Sequence, residues 1–317
     1  MWFWLSLITL LCWSGSDLFS KIGCRDADDK LSHLKMVIAV GTVMGLHAAF
    51  EIFVSGTPIS WSVIWTYLPV SLLYIGSMAL GYLGLRYIEL SVSSPICNSS
   101  GALVAVLTLL FVGGDDYSPL ALCAILLVCA GAIGLGVVDA TEDPELRAER
   151  QKDGNYKYAK SFLALALPVA YCLLDAAGTF ADNRVLEILT DRFLAAGMAA
   201  TRKECVDLAA ASANCAYELT FLAAAVVCFI YVVLIRKDKL IPRLEGPKYL
   251  GAICETAGQF AYIYAISDTS HLAMSAPIIA SYCAASVLWS RLFLKEKLSW
   301  KHYGTIGLIV IGIALMG

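Results

Sequence analysis

Long apolar stretches alternate with short polar punctuation from one end of the chain to the other. A helix needs about 20 mostly apolar residues to cross a bilayer. Ten such stretches can be marked off, at about 2–20, 34–54, 63–85, 91–112, 118–138, 160–182, 214–235, 247–267, 271–294 and 299–316. Together they predict an all-α membrane protein with ten transmembrane helices. The first stretch holds an anomaly: residues 13–21 read WSGSDLFSK, which places Asp17 near the end of an otherwise apolar run. A secretory signal does not account for it, because MWFWL at residues 1–5 carries no positive charge and no A-x-A site follows. The carboxylate is therefore expected inside a spanning helix, where such groups are costly and mark function.

Composition agrees with the pattern. Of 317 residues, 59% are hydrophobic and only 15% charged, which leaves too few residues for a soluble domain. The net charge of −3 and the lack of a basic patch interleaved with aromatics argue against nucleic acid as a partner. Most of the 11 cysteines fall inside apolar stretches, where they act as small apolar side chains. There is no C-x-x-C and the four histidines are scattered, so no metal site is expected. A Cys205–Cys215 bridge is open if their segment faces an oxidising space.

Charge also orients the chain. Nineteen of the 23 Lys and Arg fall in alternate loops, including Lys21, Arg86, Arg147, Lys248 and Lys297. Arg184, Arg192, Arg202 and Lys203 occupy the opposite set. By the positive-inside rule the first set is cytoplasmic, so both termini are expected outside a cell (inner or plasma) membrane. The four exceptions share the segment 183–213, read here as an extended loop that either lies on the surface as an amphipathic helix or is a partly ordered connector.

The chain repeats itself. Residues 93–99 read SSPICNS and residues 275–281 read SAPIIAS, with Pro95 and Pro277 in register. The charged stretch 139–159 then separates a five-span half, 1–138, from a second, 160–317. An odd number of spans per copy inverts the second copy in the membrane. Sliding the first span onto the sixth aligns Trp13 with Tyr171 and Asp17 with Asp175.

Three acids lie well inside spans: Asp17, Asp175 and Glu255. Each costs about 2.5–3.5 kcal/mol on insertion scales, so they must be paired, neutralised or set against a wet cavity. Asp17 has Lys21 four residues on, which offers a local ion pair. Asp175 and Glu255 have no cation at helical spacing. Glu51, Glu89 and Glu218 sit near span ends, where a solvated position is expected. Gln259 and Asn98 lie near the acids, and Trp13, Tyr74, Tyr171, Tyr262, Tyr264 and Tyr282 offer an aromatic wall suited to a cation. Pro95 and Pro277 are expected to break their helices and free carbonyls toward the cavity. Gly41 and Gly45 form a G-x-x-x-G that suits a close helix pair, within the chain or between protomers.

The ten spans in two inverted halves, with Trp13-Ser14-Gly15, Tyr264-Ala265-Ile266 and the run Phe293 through Ser299, resemble the EamA-like branch of the drug/metabolite transporter superfamily. The resemblance covers nearly the whole chain. It implies a secondary transporter working by alternating access, with its site between the halves near the midplane. Members of that branch usually keep their termini in the cytoplasm, so the orientation expected here departs from the common one. No P-loop occurs, and no cofactor is expected. The expected cargo is a small polar metabolite or organic cation, amino-acid-like or amine-like. Glu255, Asp175 and Asp17 would hold its positive group or a proton, with Gln259, Asn98, Tyr171, Trp13, Tyr262 and Tyr282 shaping the pocket. The expected partners are the small-molecule substrate and the lipid bilayer, with the chain a monomer or homodimer. The alternatives are an integral-membrane enzyme acting on a lipid-linked substrate, and a non-transporting membrane receptor or assembly subunit.

Overall fold

The computed structural model describes residues 1–26, 28–88, 90–111, 118–141, 163–295 and 298–316, and among these every regular element is helical. The elements are α1 (Trp2–Cys24), α2 (Ser32–Phe50), α3 (Trp61–Tyr87), α4 (Leu90–Asn98), α5 (Ser100–Phe111) and α6 (Pro119–Ala140), then α7 (Leu163–Ala195), α8 (Arg202–Phe229), α9 (Pro242–Ile266), α10 (Leu272–Ala280), α11 (Tyr282–Trp289) and α12 (Trp300–Met316). Short π-helical turns, Glu51–Ser55 and Ile230–Ile235, extend α2 and α8, and another, Ser290–Leu294, extends α11.

Among the described residues, seven helical stretches are long and apolar enough to cross a membrane, rather than the ten expected. Of the other three, α12 is a shorter apolar helix, α9 carries Arg243, Glu245, Lys248 and Glu255, and α7 carries Asp175 and Asp182. Large apolar side chains such as Trp4, Phe53, Trp65 and Leu110 point outward. Such an exterior suits a hydrocarbon solvent.

The helices pack in long pairs: α1 along α9, α3 along α7, α2 along α8, α6 along α12, and α5 against α10. Small residues let the backbones approach. A Cβ added at Gly41 would meet the Phe221 carbonyl oxygen at 2.5 Å, and one at Gly45 would meet Leu222 at 2.8 Å. The G-x-x-x-G of α2 is thus used within the chain, against α8. On α1, Ser6, Thr9, Ser14, Ser16 and Ser20 are all buried. The Ser6 and Thr9 hydroxyls donate to carbonyls one turn back, so their burial leaves little unmet.

Several expected boundaries move. The prolines sit inside α4 and α10, and the helices break four residues later, at Ser99 and Ser281. Segment 183–213 is not a loop: α7 runs on to Ala195, α8 starts at Arg202, and only 196–201 connects them. A capping box closes the start of α8, with the Thr201 hydroxyl on the Glu204 amide and the Glu204 carboxylate on the Thr201 amide. Cys205 and Cys215 lie ten residues apart on one helix, about 15 Å along its axis, too far to bridge, and both are free. The connector 139–159 falls almost wholly outside the described residues, as does Glu89.

A buried ionic knot holds one end of the bundle. Lys35 of α2 reaches Asp29 Oδ1 at 2.8 Å, and Lys248 of α9 reaches Asp29 Oδ2 at 3.2 Å. All three side chains are at most 3% exposed, so the charges are desolvated together. Arg86, from the end of α3, donates to the Asp29 carbonyl and, at 2.8 Å, to the Ser32 hydroxyl. Burial alone pushes the Asp29 carboxyl up, but the ammonium groups of Lys35 and Lys248 outweigh it and hold it below the ordinary range.

Candidate functional site

Helical spacing gathers polar side chains onto a few inward faces. On α1, Trp13, Ser16, Asp17 and Ser20 follow the i, i+3, i+4, i+7 rule, and on α7 Tyr171, Asp175 and Thr179 stand one turn apart. α9 supplies Glu255, Gln259 and Tyr262, α3 supplies Tyr74, Met78 and Tyr82, and the α4–α5 break supplies Ser94, Asn98 and Ser100. These faces enclose a central cavity with about 950 Å³ of empty volume, counting any space open to solvent. All nine residues singled out from the sequence for binding line it: Trp13, Asp17, Asn98, Tyr171, Asp175, Glu255, Gln259, Tyr262 and Tyr282.

The acids are held by hydroxyls rather than by cations. Asp17 Oδ2 accepts from Ser94 at 2.6 Å and from Ser286 at 2.8 Å, which ties α1 to both α4 and α11. The local pair with Lys21 gives way to this arrangement. The lysine ammonium turns instead to the carbonyls of Leu85 and Ile88, at 2.7 Å each. Asp175 Oδ2 accepts from Ser100 at 2.7 Å. The Ser16 hydroxyl faces Glu255, whose backbone carbonyl accepts from Trp13 Nε1 at 3.3 Å. Each of the three carboxylates lies deep in the protein yet keeps some accessible surface, and that surface opens on the cavity. Among the described residues, the lining contains these three acids and no Lys, Arg or His.

Aromatic rings form much of the wall. Trp13 lies 5.0 Å from Tyr262 and 5.8 Å from Tyr282, centroid to centroid. Glycines make room for the rings: a Cβ at Gly81 would meet the Tyr171 ring at 3.0 Å, and one at Gly178 would meet Tyr74 at 2.8 Å. Tyr264, expected in the same wall, is absent from it and packs on Phe260 at 5.3 Å. Two residues on a helix point about 200° apart, so Tyr262 and Tyr264 cannot share a face. The buried Ser20 and Tyr82 hydroxyls and Gln259 Nε2 all belong to residues that line the cavity and have no hydrogen-bond partner among the described residues. Such groups cost about 1–3 kcal/mol each when unmet, so they are ready sites for a polar ligand.

Two further acids were not read correctly from sequence. Glu218, expected in a solvated interfacial position, is fully buried on the α2–α8 seam. It accepts from His47 Nδ1 at 2.9 Å and Asn214 Nδ2 at 3.0 Å. Asp182 closes the apolar stretch 160–182 and is not among the acids singled out there, yet it is fully buried behind the cavity wall. Its Oδ1 accepts from the Tyr67 hydroxyl at 2.6 Å and its Oδ2 from Tyr74 at 3.2 Å. The usable signal was its position seven residues after Asp175, on the same face of α7. Among the described residues, no group of three or more His, Cys, Asp or Glu is placed to hold a metal ion.

No curated protein matches the sequence. A solved crystal structure, described only as that of a protein, is similar to this chain with a TM-score of 0.59 at 14% identity, over 98% of this chain and 94% of the other. That likeness shows a shared fold. Residues 193–317, about two fifths of the chain, match the model of the EamA-like transporter family.

Proposed function

We propose that the protein is a secondary transporter that moves a small organic cation or zwitterion, amine-like or amino-acid-like, by alternating access. The observation that carries this reading is the cavity itself, with three carboxylates, an aromatic wall and, among the described residues, no basic side chain. Asp17, Asp175 and Glu255 neutralise the positive group, and the rings of Trp13, Tyr262 and Tyr282 add quadrupole attraction. Gln259, Tyr82 and Ser20 meet the cargo's polar atoms.

In this reading the chain is two inverted five-span halves, divided at the charged connector, with α4–α5 and α10–α11 each forming one broken span. The helix pairing supports it. Exchanging the halves turns the α1–α9 pair into the α7–α3 pair, the α5–α10 pair into the α11–α4 pair, and the α2–α8 and α6–α12 pairs into themselves. The breaks at Ser99 and Ser281 and the π-helical ends of α2 and α8 obey the same exchange. So do two ring contacts: Trp13 seats on Gly258 of α9, and its counterpart Tyr171 seats on Gly81 of α3. An internal pseudo-two-fold of this kind gives two nearly equivalent closures around a fixed site, which alternating access requires. The ionic knot around Asp29 joins the two halves at the end where basic residues collect. We place that end in the cytoplasm and both termini outside.

The test is a thermal-shift screen of the purified protein in detergent with amino acids, amines, quaternary ammonium compounds, nucleosides and sugars, repeated on Glu255→Gln. A ligand that binds the folded state raises its apparent stability. Stabilisation by cations or zwitterions that disappears in the variant supports the reading. Stabilisation by neutral or anionic compounds alone, unchanged in the variant, refutes it.

A further inference from the structure

Asp182 is the buried acid that cargo binding leaves unused. It does not line the cavity, yet hydroxyls connect it to the cavity without a gap. Tyr74 OH lies 3.2 Å from Asp182 Oδ2 and 2.5 Å from Tyr262 OH, and Tyr262 OH lies 3.1 Å from Thr179 Oγ1. Tyr74, Tyr262 and Thr179 are all part of the cavity wall. The phenols come from separate helices, Tyr74 and Tyr67 from α3 and Tyr262 from α9, and they converge on one carboxyl of α7.

Such a chain has two complete hydrogen-bond patterns. With Asp182 ionised, Tyr67 and Tyr74 donate to its two oxygens and Tyr262 donates to Tyr74. With Asp182 protonated, the acid donates to Tyr74, Tyr74 to Tyr262, and Tyr262 to Thr179. Each hydroxyl is both donor and acceptor, so one pattern converts into the other by hydrogen shifts with no heavy atom moved. Taking up a proton balances simply. Cavity hydronium gives a proton to the Tyr262 oxygen as that phenol passes its own to Tyr74. Tyr74 likewise passes its own to the carboxylate, leaving water, two intact phenols and a carboxylic acid.

The surroundings favour a titrating role over an ion pair. The titratable groups facing Asp182 and its phenols are Tyr67 and Tyr74 from α3, Tyr217 from α8, Tyr262 from α9 and Asp175 from its own helix. The nearest charged residues beyond it on α7, Arg184 and Glu187, pair with each other at 3.0 Å. One turn past Asp182, Leu186 with Glu187 and Thr190 lines a second, smaller pocket that also includes Arg202 of α8. Thr179 borders the first pocket and Leu186 the second, about 10 Å apart along the helix. Asp182 stands between them.

We propose that Asp182 is a proton-binding site that exchanges with the central cavity through Tyr74 and Tyr262, and that its proton is the species exchanged against the cargo. Only that last use of the proton rests on the transporter reading; the titration and its route do not. The test is infrared spectroscopy of the full chain in a lipid bilayer, following carboxylic-acid bands after a pH jump, for wild type, Asp182→Asn, Tyr74→Phe and Tyr67→Phe. Wild type is expected to show a buried carboxylic-acid band that Asp182→Asn loses. Tyr74→Phe is expected to reach the same final band about 100-fold more slowly, the scale on which a positioned proton carrier acts. Tyr67→Phe, off the route, should keep the wild-type rate. An Asp182→Asn spectrum identical to wild type overturns the site. A Tyr74→Phe rate equal to wild type, or slowing by Tyr67→Phe instead, overturns the route. If Asp182→Asn does not fold, the two phenol variants still decide. Failure of the ligand screen together with these expected spectra would remove the cargo reading and leave the proton site standing.

Discussion

Replacing Asp29 by asparagine keeps the shape of the side chain and removes the negative charge between two buried ammonium groups. Lys35 and Lys248 sit 2.8 and 3.2 Å from its oxygens, and neither is more than 3% exposed. Breaking a buried pair costs about 3–5 kcal/mol when the partner is left with an uncompensated charge. Here each lysine keeps something: Lys35 has Asp238 at 3.5 Å and the Lys239 carbonyl at 3.0 Å, and Lys248 has Glu245 at 3.3 Å and the Leu244 carbonyl at 3.0 Å. The expected loss is therefore at the lower end, about 2–4 kcal/mol. Asp238 is the natural control, since it is one-third exposed and its carboxylate pairs with Lys35 at the longer distance of 3.5 Å, so Asp238→Asn should cost less than about 1 kcal/mol. Thermal unfolding in detergent reads both, with a drop of several degrees for Asp29→Asn and little change for Asp238→Asn. The Asp29→Asn/Lys248→Gln double variant should lose less than the sum of its single variants, because the two changes remove one shared interaction. Equal melting temperatures for Asp29→Asn and wild type, or equal losses for the two asparagine variants, would refute the account of this knot.

The same group predicts a pH dependence. Because the folded protein holds the Asp29 carboxyl below its ordinary value, its contribution is present above the unfolded pKa of about 3.9 and is lost as pH falls through the folded value. The melting gap between wild type and Asp29→Asn should stay constant from neutral pH down to about 5 and close below about 4. Gly41→Ala should cost about 1–3 kcal/mol in unfolding measurements, because its new methyl meets the Phe221 carbonyl on α8, whereas Gly304→Ala meets nothing within 4 Å and should be neutral or stabilising. Tyr262→Phe should weaken binding of any cation found in the screen, while Tyr264→Phe, which faces away from the cavity, should bind as wild type does. A C-terminal reporter that fluoresces only in the cytoplasm should stay dark, and a bright one would reverse the proposed orientation.

The solvent, the helices and the intramembrane acids are all legible in the order of residues alone. Long apolar stretches can only be helices in hydrocarbon, and a carboxylate inside one stands out because nothing nearby neutralises it. That is why Asp17, Asp175 and Glu255 were legible, and why residues chosen around them line one cavity. Only the tertiary structure decided which partners those acids found. Lys21 lies one turn from Asp17, yet its ammonium reaches the carbonyls of Leu85 and Ile88, and the carboxylate accepts from serines of two other helices. Asp182 does not stand out in the same way, because Asn183 and Arg184 follow it and it closes an apolar stretch. α7 runs a further three turns past that point, and burial there depends on α3 and α9 rather than on local composition. The G-x-x-x-G likewise announced a close helix contact without naming α8 as its partner. Periodicity along one helix tells which face is polar; which face of another helix meets it is set by packing across the chain, and that information is not local.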